Sequence, residues 1–255
     1  MPAGGAERCA WSSDGRILAT SGRAYLNVYI TALPPLYAAY GTRVITLTSL
    51  TEVTVYQCIA VGDEPETGNK SEPTALATYT LPTEPSVIAL GGSHVCCASG
   101  TLAWFYPLSG GGATRRQYPA PVEMLTLAGD YAAAMFQGRA MLHIIDKVDP
   151  AQPDREAMLF PEPHMQTSKI VDIHLTSDFF IFVTDQGYVE YFGIEEWRSC
   201  VRYKHTCGLR RVYSDIGGAR ACLADERLRV HVFCAAAMEA CAVPRDTAAA
   251  VRRVD

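Results

Sequence analysis

The sequence predicts an all-β fold built from repeated small sheets, and three observations carry that prediction. First, one phrase recurs: a short apolar strand, a tight polar turn, then a strand dense in aromatics. It reads PSVIALGGSHVCCASGTLAWFYPL at 85–108, VEMLTLAGDYAAAMFQGRAMLHIID at 122–146 and IVDIHLTSDFFIFVTDQGYVEYFGI at 170–194, with looser copies at 11–30 and 209–233. Second, the turns recur at a nearly constant step. Gly100, Gly138, Gly187 and Glu226 hold equivalent places, separated by 38, 49 and 39 residues, and Gly22 stands 78 residues before Gly100. Third, no long stretch shows a 3.6-residue apolar period flanked by caps. A period of about 40 with several strands per unit is the signature of a WD40-type β-propeller. A β-sandwich or barrel with similar strand spacing is the alternative.

Taken in order, the elements fit that scheme. WSSDGRILATSGRAYLNVYI at 11–30 reads as a hairpin turned at Gly22, and RVITLTSLTEVTVYQ at 43–57 fills the gap before Gly100, with its turn at Leu50–Thr51. Glycine suits such turns because two-residue hairpin loops need positive φ. The flanking runs are rich in Val, Ile, Tyr and Phe, which favour a pleated, half-buried surface. In GYVEYFGI, Tyr188, Glu190 and Phe192 share one face while Val189 and Tyr191 share the other. Both faces are largely apolar, as a strand sandwiched between neighbouring sheets requires. The polar, Pro/Gly-rich stretch 62–73 reads as an exposed loop, and 110–121 and 147–167 read as insertions between blades. Counting gives about six units, one of them abbreviated, over 1–233, followed by an Ala- and Arg-rich tail at 234–255 that is expected to be a weak helix or unstructured. No closing strand is evident, so the expected fold is an incomplete, unclosed part of a seven-bladed ring.

Bulk composition narrows the class. With 49% hydrophobic and 19% charged residues the chain can bury a sizeable core. A net charge of −5 argues against a nucleic-acid binder, which leans on clustered Lys and Arg. The start, MPAGGAERCAW, has neither the basic nor the apolar region of a secretory leader. No apolar run is long enough to cross a bilayer. The nine cysteines are odd in number, form no C-x-x-C pair, and place Cys96 and Cys97 on opposite faces of one strand. They read as small core hydrophobes in a reducing compartment.

The search for chemistry is mostly negative. Cys200, His205 and Cys207 in RSCVRYKHTCG are a candidate metal group, but three residues at irregular spacing fall short of the four tetrahedral ligands zinc wants. A core cysteine and a loop histidine is the favoured reading, and no metal or cofactor is expected. His174 lies near Ser177 and Asp178, yet LTSDFF reads better as a turn, and no G-x-S-x-G elbow or phosphate loop accompanies it. Arg115–Arg116, Arg210–Arg211 and Arg252–Arg253 are basic pairs that read chiefly as solvated surface. Trp104 reads as a core residue between blades. Trp197, which follows the acidic pair Glu195–Glu196, is as good a partner anchor as a core residue. The candidate partner-contact set is therefore Arg115, Arg116, Glu195, Glu196 and Trp197.

Several runs carry a more specific likeness. WSSDGRILATSG…LNVYITALP, TRVITLTSLTEVTV, LAWFYPL, DYAAAMFQGRAMLHIID, REAMLFP and LTSDFFIFVTDQGYVEYFGIEEW resemble, in order from about residue 9 to about 233, the second propeller of the WD-repeat protein 19 family. That family supplies the large WD-repeat subunit of intraflagellar transport complex A. The resemblance implies a non-catalytic scaffold in the cilium or flagellum and basal body, on the cytoplasmic side. It further implies the other complex A subunits as partners and, through them, the retrograde dynein motor and ciliary membrane cargo, with roles in cilium assembly and import of membrane proteins. Neither nucleic acid nor direct membrane insertion is expected. Family members carry another propeller before this one and a helical solenoid after it; this sequence matches neither, and its last blades are replaced by 234–255. A WD-repeat adaptor that binds peptide motifs outside cilia is the alternative, and a propeller hydrolase a third.

Overall fold

Short β-branched and aromatic runs separated by tight turns can satisfy their backbone groups only by pairing with neighbours. The computed structural model shows that outcome for the residues it describes, 7–31, 36–58, 73–146, 156–162 and 168–243. Every regular element among them is a β-strand, and no helix is long and apolar enough to cross a membrane. The chain divides into two compact units, Met1–Ser86 and Val87–Asp255.

The first unit holds a three-stranded sheet and a four-stranded one. The three-stranded sheet contains β1 (Arg8–Trp11), β2 (Ile17–Ser21) and β3 (Leu26–Ile30). The other contains β4 (Tyr37–Tyr40), β5 (Arg43–Ser49), β6 (Glu52–Gln57) and β7 (Thr74–Thr80). The run 43–57 is thus the centre of a full sheet, and its turn lies at Leu50–Thr51 as expected.

The second unit repeats a four-stranded antiparallel sheet four times, each in simple chain order. The first comprises β8 (Val87–Leu90), β9 (His94–Ser99), β10 (Leu102–Pro107) and β11 (Thr114–Gln117). The second comprises β12 (Met124–Ala128), β13 (Tyr131–Phe136), β14 (Arg139–Ile144) and β15 (Ala157–Phe160). The third comprises β16 (Ile170–Leu175), β17 (Phe179–Thr184), β18 (Tyr188–Gly193) and β19 (Arg198–Lys204). The last comprises β20 (Leu209–Ser214), β21 (Arg220–Asp225), β22 (Val230–Cys234) and β23 (Glu239–Ala242).

Three expectations are corrected here. The stretch 110–121 is not a plain insertion, because Thr114–Gln117 pairs with β10 as a fourth strand. The stretch 147–167 likewise contains β15, paired with β14; its residues 147–155 and 163–167 lie outside the described residues. The strand pattern also runs past 233, since β23 pairs with β22; only 244–255 of the expected tail lies outside the described residues. The cause is common to all three: β11, β15 and β23 are outer strands, mostly or partly exposed, so they carry no clear apolar alternation.

Most of the turns follow the predicted chemistry, with one shift and one exception: Gly22 does not adopt the positive φ expected of it. Gln137 and Gly138 both have positive φ (49° and 71°), the two-residue geometry whose twist matches its strands. Gly187 (φ 83°) donates its N–H to the Thr184 carbonyl, and Leu228 (φ 58°) donates equivalently to Asp225. The residue matching Gly187 in the last sheet is therefore Leu228, two places beyond Glu226.

Three apolar clusters lie between consecutive sheets of the second unit. Phe105, Leu127 and Phe136 belong to one, Leu142, Phe160, Phe180 and Phe192 to the next, and Tyr191, Leu209, Leu223 and Phe233 to the third. Sheets buried on both faces by their neighbours are what the two-sided apolar strands predicted. Several polar groups inside this core are paired, while the buried Tyr191 hydroxyl has no hydrogen-bond partner. The buried Tyr118 hydroxyl donates to His143 Nε2 at 2.7 Å, and His143 Nδ1–H donates to the Ile144 carbonyl at 2.8 Å. The Val212 N–H donates to buried Asp172 Oδ2 at 2.7 Å, tying β20 to β16.

Candidate functional site

The structure separates the predicted contact residues into two places. Arg115 and Arg116 stand on the outer strand β11, Arg115 exposed and Arg116 half-buried. Arg116 lies 3.9 Å from Glu156, a loose surface pair worth at most about 1 kcal/mol. Arg115 faces Trp104 across the ladder, and Trp104 is half-buried rather than enclosed.

Glu195, Glu196 and Trp197 form the turn between β18 and β19, on a different sheet. Both glutamates are exposed, and with Asp178 they line a cleft of about 410 Å³. Trp197 adopts a left-handed backbone (φ 54°), which for a bulky residue needs support from packing. That support comes from Phe192, edge-on at 5.3 Å, and from Tyr131, at 6.1 Å. Trp197 therefore packs as part of the inter-sheet cluster, and the acidic pair beside it is the part that faces solvent. A second cleft, of about 590 Å³, is lined by Glu123, Arg210, Arg211 and Leu228 among others; Arg211 also approaches Asp172 at 3.4 Å.

The residues weighed for chemistry are rearranged more sharply. Cys200 is exposed on β19, with its thiol donating to the Arg198 carbonyl, and it does not join His205 and Cys207. Instead His205, Asp225 and His231 converge, and Cys207 reaches the Asp225 carboxylate. Asp225 and His231 were not singled out in the sequence, where they read as a turn residue and a strand residue. The signal that would have found them is the hairpin itself, which folds an Asp before the 226–229 turn against a His just after it. His174, half-buried and held below its ordinary pKa by burial, has no hydrogen bond to Ser177 or Asp178 among the described residues, so no nucleophile–base pair forms there. The nine cysteines are all free thiols.

Comparison with known proteins decides the relationship. Residues 44–254 match the family described as WDR19 second beta-propeller. The chain belongs to this family. It is 36% identical over 231 residues to the human WD repeat-containing protein 19, an alignment covering 88% of this chain and 16% of that protein. It is 26% identical over 250 residues to the Caenorhabditis elegans WD repeat-containing protein dyf-2, covering 88% of this chain and 17% of the relative. The chain thus spans about a sixth of the length of these relatives. Among solved structures, the β-propeller domain of Cps50 (Swd1) from Myceliophteria thermophila superposes with a TM-score of 0.52, covering 92% of this chain and 66% of that one. At 14% identity that likeness speaks for fold alone, and the fold is a WD40-type β-propeller.

Proposed function

We propose that this chain is a non-catalytic scaffold segment of intraflagellar transport complex A, which supports retrograde transport in cilia, cilium assembly and the import of ciliary membrane proteins. The match of 44–254 to the second propeller of the WDR19 family carries this reading. Its partners are the other complex A subunits and, through them, the retrograde dynein motor and membrane cargo. Its place is the cytoplasmic side of the cilium and basal body. The physical means are stiff, mutually buried sheets that hold loops and outer strands in fixed positions, so that recognition rests on shape and surface charge. The acidic Glu195–Glu196 corner and the Arg115–Arg116 edge are the charged surfaces put forward for contact. No cofactor is assigned to this role.

Affinity capture of the full chain from ciliated cells tests the reading, with a Glu195→Lys/Glu196→Lys variant alongside. Complex A subunits should be recovered with the wild-type chain and depleted with the variant. Recovery of short-motif ligands in their place, with no transport subunit, would replace the scaffold reading with a free peptide adaptor.

A further inference from the structure

His205 lies in the connection between β19 and β20, and Cys207 follows two residues later. Asp225 ends β21 and His231 is the second residue of β22. One ligand atom from each of His205, Asp225 and His231 falls within 4.8 Å of the other two. Asp225 Oδ1 accepts the Arg229 N–H at 2.8 Å, which fixes the carboxylate. Its other oxygen, Oδ2, lies 3.2 Å from His231 Nε2 and 3.5 Å from Cys207 Sγ. His205 is only 4% exposed, and neither of its ring nitrogens has a hydrogen-bond partner. A buried imidazole with both nitrogens idle is costly unless something fills the space it faces.

We propose that His205, Asp225 and His231, with Cys207 as fourth ligand, form a binding site for a divalent transition-metal ion of the zinc class. The two distances to the Asp225 carboxylate suit it, while Cys207 lies outside the mutually close set of His205, Asp225 and His231 and would swing in to complete it. Zinc bonds of roughly 2.1 Å to oxygen, 2.0 Å to nitrogen and 2.3 Å to sulfur, at tetrahedral angles, place oxygen about 3.6 Å from sulfur and about 3.4 Å from nitrogen. The observed 3.5 and 3.2 Å are close to those edges. Two imidazoles, a thiolate and one carboxylate are a borderline-soft set that favours zinc over calcium or magnesium. The Arg229 N–H is the outer partner that orients the ligating carboxylate. Four protein ligands close the coordination sphere, so the ion would be structural, stapling the exit of β19 to the β21–β22 hairpin. Binding releases the Cys207 thiol proton to solvent, and any proton on the ligating imidazole nitrogens leaves with it. The competing arrangement needs no metal: His231 hydrogen-bonded to Asp225, with the two imidazoles packed edge to face at 4.4 Å.

The test is a Co²⁺ titration of the chelator-stripped full chain, free of any affinity tag, followed by visible absorption. One equivalent should bind, with tetrahedral cobalt bands and a thiolate-to-metal band at shorter wavelength, and Zn²⁺ should displace it. Cys207→Ser should remove the thiolate band and retain the cobalt bands, weakened at least tenfold in affinity. His205→Gln and His231→Gln should lower affinity by a hundredfold or more, while Cys200→Ser should change nothing. Absence of stoichiometric binding overturns the site. So does a spectrum untouched by Cys207→Ser, which remains decisive if either histidine variant fails to fold. None of these outcomes depends on the ciliary role.

Discussion

Phe160 gives the sharpest test of how the sheets hold together. It stands on an outer strand, β15, yet is only 1% exposed. Its ring leaves its own sheet and meets Phe180, Phe182 and Phe192 of the next, with centroids 5.1, 5.4 and 5.1 Å away. Phe160→Ala removes the side chain and leaves a cavity bounded by three rings that cannot all move in. Buried Phe→Ala changes cost about 3–5 kcal/mol, and each aromatic pair adds about 0.5–1.5 kcal/mol beyond burial, so the cost should fall near the top, about 4–5 kcal/mol. Urea unfolding followed by tryptophan fluorescence measures it locally, because Trp197 packs on Phe192 in the same cluster. The midpoint should drop while the slope stays constant. Phe160→Leu combined with Phe180→Leu should show a coupling of about 0.5 kcal/mol or more. Glu156→Ala, exposed near the start of the same strand, should stay within about 0.5 kcal/mol. A cost below about 1 kcal/mol for Phe160→Ala would refute the idea that this ring joins the two sheets.

Three further outcomes are expected. Gly187→Ala should cost about 2–3 kcal/mol in denaturant midpoint, because φ is +83° and a Cβ there would run into the Cys207 carbonyl; Gly100→Ala, at φ +58° with open space around it, should cost about 1 kcal/mol. Burial holds His143 down to about 4, below its ordinary value of 6.5, so the fold favours the neutral ring. Its stabilisation is complete above about pH 6.5 and is lost as pH falls toward 4, so His143→Gln should abolish about 2 kcal/mol of the stability difference between pH 7.5 and pH 5. Alkylation followed by mass spectrometry should find Cys9, Cys200 and Cys241 labelled first. Cys96 and Cys97 should stay protected, being buried, with the Cys97 thiol pushed up to about 12.

The inner hairpins were legible because their side chains serve two cores at once. The runs His94–Ser99, Tyr131–Phe136 and Phe179–Thr184 are almost wholly buried, and such segments cannot be polar. The outer strands answer to a weaker constraint. Thr114–Gln117 needs only backbone pairing with β10 and otherwise faces solvent, so TRRQ reads as loop. The short apolar run Ala157–Phe160, set in an otherwise polar stretch, was the signal that could have betrayed β15, and the burial of Phe160 shows what it was for.

The converging cluster was illegible for a different reason: sequence spacing is not spatial spacing. Cys200 precedes His205 by five residues of extended chain, roughly 16 Å, which takes it out of reach. Asp225 and His231 are brought together only by the β21–β22 register, in which Leu223 faces His231. The preceding sheet supplies a comparison within the chain. There Thr184 occupies the place of Asp225, its hydroxyl accepting the Tyr188 N–H at 3.0 Å as the Asp225 carboxylate accepts that of Arg229. By the same register, Phe182 facing Glu190, the place of His231 is held by Glu190, whose carboxylate is taken up by Arg202 and Ser199. The turn is the same in both sheets, so folding alone asks only for an acceptor at the first position, and Thr meets that need. The last sheet instead puts a carboxylate there, an imidazole opposite, and a second imidazole and a thiol from the neighbouring connection. The turn explains the first of these four choices, and a shared ligand explains all of them.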